Sequence, residues 1–193
     1  MHSTNLLRLV IGTCAASFLV ALSVPAQAPR TDLQPLDDAE AYRVYASLLP
    51  REWMVTYAHA KTLVFQQETV TNWQCMPSGT PIDTDWREVM DNFRAANAGV
   101  KLLREGFPID PPYVVVPRAA MDATLDKKYP QSGGVMFVSV PGFDVERKRA
   151  IVYIAHTCGP LCGGGGMHHL LEKIDGRWQE ARVPELRNCI WDS

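Results

Sequence analysis

Residues 156–178 read HTCGPLCGGGGMHHLLEKIDGRW. Two cysteines, three histidines and four consecutive glycines fall in this stretch, which overlaps RAIVYIAHT (149–157) and runs to the start of WQEARV (178–183). The reading of this stretch decides the fold. A metal centre, a redox site and a phosphate cradle each demand particular flanking elements, whereas a hairpin loop needs only two strands. Arg149–Thr157 is apolar in both alternating sets over Ile151–Ala155, which predicts a central strand covered on both faces. Asp175-Gly176 is a two-residue hairpin signal. Met167–Lys173, between them, reads as a strand because the run is short and ends in Asp-Gly. Met167, Leu170, Leu171 and Ile174 also fit a helical stripe. The stretch is therefore expected to be a loop joining two antiparallel strands.

Upstream, Val135–Val140 is a further strand candidate; downstream, Trp178–Val183 is another, and Asn188–Ser193 (NCIWDS) reads as an edge strand. The N-terminal half has a different character. From Asp37 or Asp38 to Leu49, Ala41, Val44, Tyr45 and Leu48 recur at helical spacing, with Asp as cap and Pro50 as stop. Lys61–Thr71 is rich in strand formers. Asn72–Asp83 carries Cys75, Pro77, Gly79 and Pro81 and reads as a loop. A second helix is capped by Thr84 or Asp85 and lines one face with Trp86, Val89, Met90, Phe93 and Ala96. Tyr113–Val116 is a short strand, and Pro117 opens a third helix to about Lys127. The expected fold class is α+β: N-terminal helices packed on the apolar face of a C-terminal antiparallel β-meander, stapled by disulfides.

The chain opens with Arg8 in a short polar segment, then the apolar Leu9–Val24, then Ala26-Gln27-Ala28. This is the pattern of a secretory signal peptide, residues 1–28, cut after Ala28. Thr13, Cys14 and Ser17 interrupt the apolar run, which is short of the roughly 20 residues a spanning helix needs. No stable membrane insertion is expected after cleavage. Residues 29–36 read as a loose lead-in and 37–193 as one domain. The formal net charge is −2, from 19 Lys and Arg against 21 Asp and Glu. Neither half is markedly basic, so nucleic acid is not an expected partner.

Outside the leader the cysteines are Cys75, Cys158, Cys162 and Cys189. An even number in an exported chain favours two disulfides, with three connectivities open. The preferred pairing is Cys158–Cys162, closing a small ring at the start of the glycine run, with Cys75–Cys189. Loop entropy assigns about 2 kcal/mol to the small ring and about 5 to the large one, before strain. The glycines also permit close approach of another segment. A P-loop needs Lys and a hydroxyl after its last glycine, and here Met167-His168-His169 follow. A thiol oxidoreductase uses C-x-x-C at a helix N-terminus, whereas this spacing is C-x-x-x-C between strands. His156, Cys158, Cys162 and His168 (or His169) are zinc ligand types, and a hairpin would bring His156 towards His168. Their spacing matches no common finger, and thiolates oxidise outside the cytoplasm.

His168 and His169 are adjacent, so on a strand they point to opposite faces; one half-buried and one solvated ring is the expectation. His156 is expected to end a core strand with its ring hydrogen-bonded. Ser132 lacks the strand–Ser–helix setting of a nucleophile elbow, and Glu68 has no carboxylate partner in the pattern. Trp53, Trp73, Trp86, Trp178 and Trp191 read as core residues.

Taken together, TLVFQQETVTNWQCM, PYVVVPR, YPQSGGVMFVSVPGFD, AIVYIAHTCGPLCGGGGMHHLLEKIDGRW and CIWDS resemble a family of uncharacterised exported bacterial proteins. That family has a strand-rich C-terminal half ending in a Cys–Trp stretch, and the resemblance runs from about Ala41 onward. It implies a bacterial, exported setting and carries over no functional residue or cofactor. The expected role is a non-catalytic exported domain, periplasmic or secreted, acting by binding or as structure. A zinc-binding protein or hydrolase using residues 156–169 is the alternative, and a thiol–disulfide redox protein a weaker one.

Overall fold

The computed structural model describes residues 33–56, 60–72, 84–106, 108–109, 112–121, 125–157, 163–183 and 190–192. In chain order the elements are α1 (Ala39–Thr56), β1 (Leu63–Gln66), α2 (Thr84–Ala96), β2 (Tyr113–Val116), α3 (Leu125–Lys128), β3 (Val135–Val138), β4 (Gly142–Phe143), β5 (Arg149–Thr157), β6 (Gly164–Ile174), β7 (Arg177–Glu180) and β8 (Ile190–Asp192). Residues 32–193 make one compact unit. No helix among the described residues is long and apolar enough to cross a membrane. Residues 1–28, where a signal peptide is expected, and Cys75, Cys158, Cys162 and Cys189 lie outside the described residues.

The strands form one sheet in the order β2-β1-β3-β5-β6-β7, with β4 pairing β5 and β8 pairing β6. From β3 onward the consecutive strands pair antiparallel, as expected of a meander. Asp175 and Gly176 both take positive φ, 49° and 77°, which is what the tight turn between β6 and β7 requires. β1 departs from the expectation. It is shorter than Lys61–Thr71 and runs parallel to both β2 and β3. The cause is its connections: α2 lies between β1 and β2 in sequence, and α3 between β2 and β3. Parallel neighbours need such crossovers, whereas hairpins impose antiparallel pairing.

The helices divide between both faces of the sheet, where the sequence suggested one. On one face Val44, Tyr45, Leu48 and Leu49 of α1 share a core with Leu63, Phe65, Met136, Val152, Leu171 and Trp178. On the other, Trp86, Val89, Met90 and Phe93 of α2 pack with Ile151, Tyr153, Ala155 and Leu170. This explains the two apolar sets of β5, since each set serves a different helix. Val64 of β1 joins Val116, Val135 and Leu125 of α3 in a third cluster.

Asp38 caps α1, its Oδ1 accepting from the Glu40 and Ala41 amides at 2.9 and 3.4 Å. The same carboxylate pairs with Arg147 in the β4–β5 turn, whose guanidinium lies 4.5 Å from the Phe143 ring centroid. Glu40, almost wholly buried, accepts from Lys173 Nζ at 2.8 Å and from Trp178 Nε1 at 2.6 Å. Burial would raise its pKa, but Lys173, Trp178 and Arg43 outweigh it and hold the carboxyl below its ordinary value. These bonds fasten α1 across the β6–β7 hairpin.

Three further expectations are corrected. α1 runs through Pro50 to Thr56; proline removes one amide donor, and the buried stripe ahead of it holds the preceding turn against the sheet. The lead-in is docked at its end, because Leu36 is buried and its amide donates to Leu102 O at 2.7 Å. The third helix becomes a 3-10 turn at Arg118–Ala120 and a single turn at Leu125–Lys128.

Candidate functional site

The glycine run is more strand than loop. Gly164, Gly165 and Gly166 open β6 and pair with Thr157, His156 and Ala155 of β5. On their other side Gly165 and Gly166 pair with Asp192 and Trp191 of β8. A Cβ at Gly164 would stand 2.7 Å from His156 O, so the segment that the glycines allow to approach closely is the end of β5. Residues 158–162, with Cys158 and Cys162, lie outside the described residues, as do Cys75 and Cys189.

The register separates the histidines. His156 pairs with Gly165, and His168 with Tyr153, three residues further along β5. Odd steps place their side chains on opposite faces, His156 on the α1 face and His168 on the α2 face. His156 and His168, expected to near each other across the hairpin, are instead divided by the sheet, while His169, the other residue named for that ligand position, lies on the His156 face. Among the described residues no three or more His, Cys, Asp and Glu side chains gather as a metal site.

His168 and His169 do point to opposite faces, but both are buried, at 0 % and 1 % exposed. At this level β6 lies between other strands, with α1 packed on one face and α2 on the other, which leaves neither ring to solvent. His168 packs against Tyr153 at 4.9 Å and Phe93 at 5.4 Å between ring centroids. Burial, with the neighbouring His169 second, lowers its pKa to about 4, so the ring is neutral at pH 7. His169 Nδ1 bonds Glu180 Oε1 at 2.9 Å, while its Nε2 has no hydrogen-bond partner among the described residues.

The same level of the sheet carries a second polar cluster that sequence reasoning missed. β3 ends at Val138 and β4 starts at Gly142, both beside β5. In the break, Ser139 N donates to Tyr153 O at 2.9 Å, and Tyr153 N donates to Ser139 Oγ at 2.8 Å. Tyr45 of α1 donates its hydroxyl to Ser139 O at 2.7 Å, and burial pushes that phenol well above its ordinary pKa. From the opposite face Asn97 exchanges two 2.8 Å bonds with the Val140 backbone and donates to Phe93 O. Pro141-Gly142 in the sequence was the available signal of a break. Nothing local marked Asn97, whose partners lie 43 residues away.

Ser132 and Glu68 have structural roles. Ser132 Oγ accepts from Gly134 N in a turn, and Glu68 Oε2 accepts from Arg118 N at 2.8 Å. Trp86 and Trp178 are core residues as expected; the side chains of Trp53, Trp73 and Trp191 lie outside the described residues.

One cavity among the described residues, about 420 Å³, lies beside the start of α1, lined by Asp37, Tyr42 and Arg104. Two others flank the sheet. The larger, about 580 Å³, lies where the β4–β5 turn meets the end of β6, with Glu88, Lys148, Arg149 and Glu172 on its walls. Val145 and Ile174 also line it, at 82 % and 48 % exposed. The smaller, about 380 Å³, lies between α1 and β7. Compared with known proteins, the chain matches no family model, no curated protein and no solved structure.

Proposed function

We propose that this chain is an exported domain, periplasmic or secreted, that acts by binding, and that the end-of-sheet cleft is its recognition surface. The observation that carries this reading is the exposure of Val145 and Ile174 together in a cleft walled by charged side chains. Exposed apolar side chains lining one cleft within a charged rim are the usual composition of a contact surface. The leader pattern of residues 1–28 and the resemblance to exported bacterial proteins support the compartment. Oxidising conditions in turn support Cys158–Cys162 and Cys75–Cys189 as disulfides. The Thr157–Gly164 pair sets the two ends of the segment that carries Cys158 and Cys162 beside each other, which supports a small ring there.

Site-specific photo-crosslinking in exporting cells tests the surface. A crosslinker at Val145 or Ile174 is expected to yield a discrete higher-mass adduct that one at exposed Lys127 does not. Equal patterns from all three positions, or no adduct from either cleft position, would overturn the reading.

A further inference from the structure

We infer that the partner of the end-of-sheet cleft is a segment of another protein that carries a lysine or arginine beside large apolar side chains, with Glu88 taking the cation. The assignment rests on the reading of that cleft as the recognition surface. Two neighbouring turns supply the apolar contacts. Lys173 N donates to Lys148 O at 2.7 Å, which sets the β4–β5 turn beside the end of β6. Val145 stands in the first at 82 % exposure and Ile174 at the second at 48 %, both lining the cleft. A side chain as open as Val145 stays largely in water beside a small molecule, so covering it takes a partner with a surface of its own.

The charges on the walls set the sign of that partner. Each cation there is already held by a carboxylate: Lys148 by Glu146, Arg149 by Glu172 at 3.7 Å, and Lys173 by Glu40 at 2.8 Å. The carboxylates are not matched in turn. Glu88, exposed on α2, lines the cleft and has no hydrogen bond or ion pair among the described residues. Asp144 also lines it and directs Oδ1 to the backbone amides of Lys148 and Arg149. The uncompensated charge beside Val145 and Ile174 is therefore negative. That sign favours a cationic protein segment over a bilayer, because an anionic lipid surface attracts basic groups and repels a free carboxylate. An exposed ion pair at Glu88 is worth about two- to fivefold in affinity.

Photo-crosslinking from Ile174 in exporting cells tests this, with the crosslinked segment sequenced by mass spectrometry. The segment is expected to carry Lys or Arg within a few residues of the attachment point. The crosslinked fraction is expected to fall by about two- to fivefold in Glu88→Gln and further in Glu88→Lys. It is expected to hold in Glu88→Asp and in Glu105→Lys, which reverses an exposed carboxylate away from the cleft. Thermal unfolding checks that each variant keeps the fold. A protein adduct whose yield ignores the charge at position 88, or whose segment carries no cation, overturns this inference and leaves the recognition surface standing. An adduct with lipid or with a second copy of this chain overturns it as well. No adduct without the Glu88 substitutions overturns both.

Discussion

His168 shows how one side chain can set the acid limit of a fold. In the unfolded chain an imidazole titrates near 6.5, whereas in the folded state His168 is held to about 4. Between these values the unfolded state binds a proton that the native state does not, so stability rises with pH there. Its contribution is fully present above 6.5 and is lost as pH falls towards 4, by roughly 3 kcal/mol at most. His168→Phe keeps an aromatic ring against Phe93 and Tyr153 and removes the proton. Urea unfolding at pH 7 and pH 4.5 is expected to show a smaller acid loss in the variant than in the wild type. An identical loss in both would place the acid sensitivity elsewhere. The neighbouring His169 differs only by facing the other side of β6, yet it bonds Glu180. That the pair would point apart was legible in the sequence; what each ring would meet was not, because the partners come from α2, β5 and β7.

At the scale of elements, the contact between α2 and β4 is the tightest constraint. A Cβ on Gly142 would stand 2.3 Å from the backbone N and Cα of Phe93. No rotamer relieves a clash with backbone, so the helix itself must move. Asn92, which donates to Phe143 O at 2.7 Å, and Asn97, bonded to Val140, hold it on either side of that contact. Gly142→Ala is therefore expected to destabilise the fold by about 3 kcal/mol or more, in the range of overpacked cores. Chemical denaturation measures it, and a loss below 1 kcal/mol would show that α2 can lift from β4 at little cost. The helical face of α2 was legible, since Trp86, Val89, Met90 and Phe93 repeat at helical spacing. Its seat on Gly142 was not, because a glycine required by close approach looks in sequence like one required by a turn.

Across the whole molecule, one line of polar groups crosses the middle of the sheet. Ser139 bonds Tyr153, Tyr153 pairs with His168, and His169 on the next position of β6 bonds Glu180. Tyr45 and Asn97 close this line from the two helical layers. Disulfides remain a proposal beside this described core. Intact mass of protein exported without reductant tests that proposal. Loss of residues 1–28 and a mass four hydrogens below the reduced chain, without adduct, are expected. A zinc adduct with Cys158 and Cys162 unpaired would return the metal reading. It would then have to draw its remaining ligands from one face of the sheet.

The sequence by itself determined the local events. The two apolar sets of Arg149–Thr157 are set by its own side chains, as are the Asp175-Gly176 turn, the Asp38 cap and the apolar stripes of α1 and α2. Each depends on neighbours within a turn or two of chain, so spacing alone reveals it. Only the tertiary structure decided that β1 pairs in parallel, that the helices take opposite faces, and that His156 and His168 are divided by the sheet. Those outcomes rest on register and crossover between residues tens of positions apart. A single step in register turns a side chain from one face to the other. No periodicity within a strand records which step its partner takes.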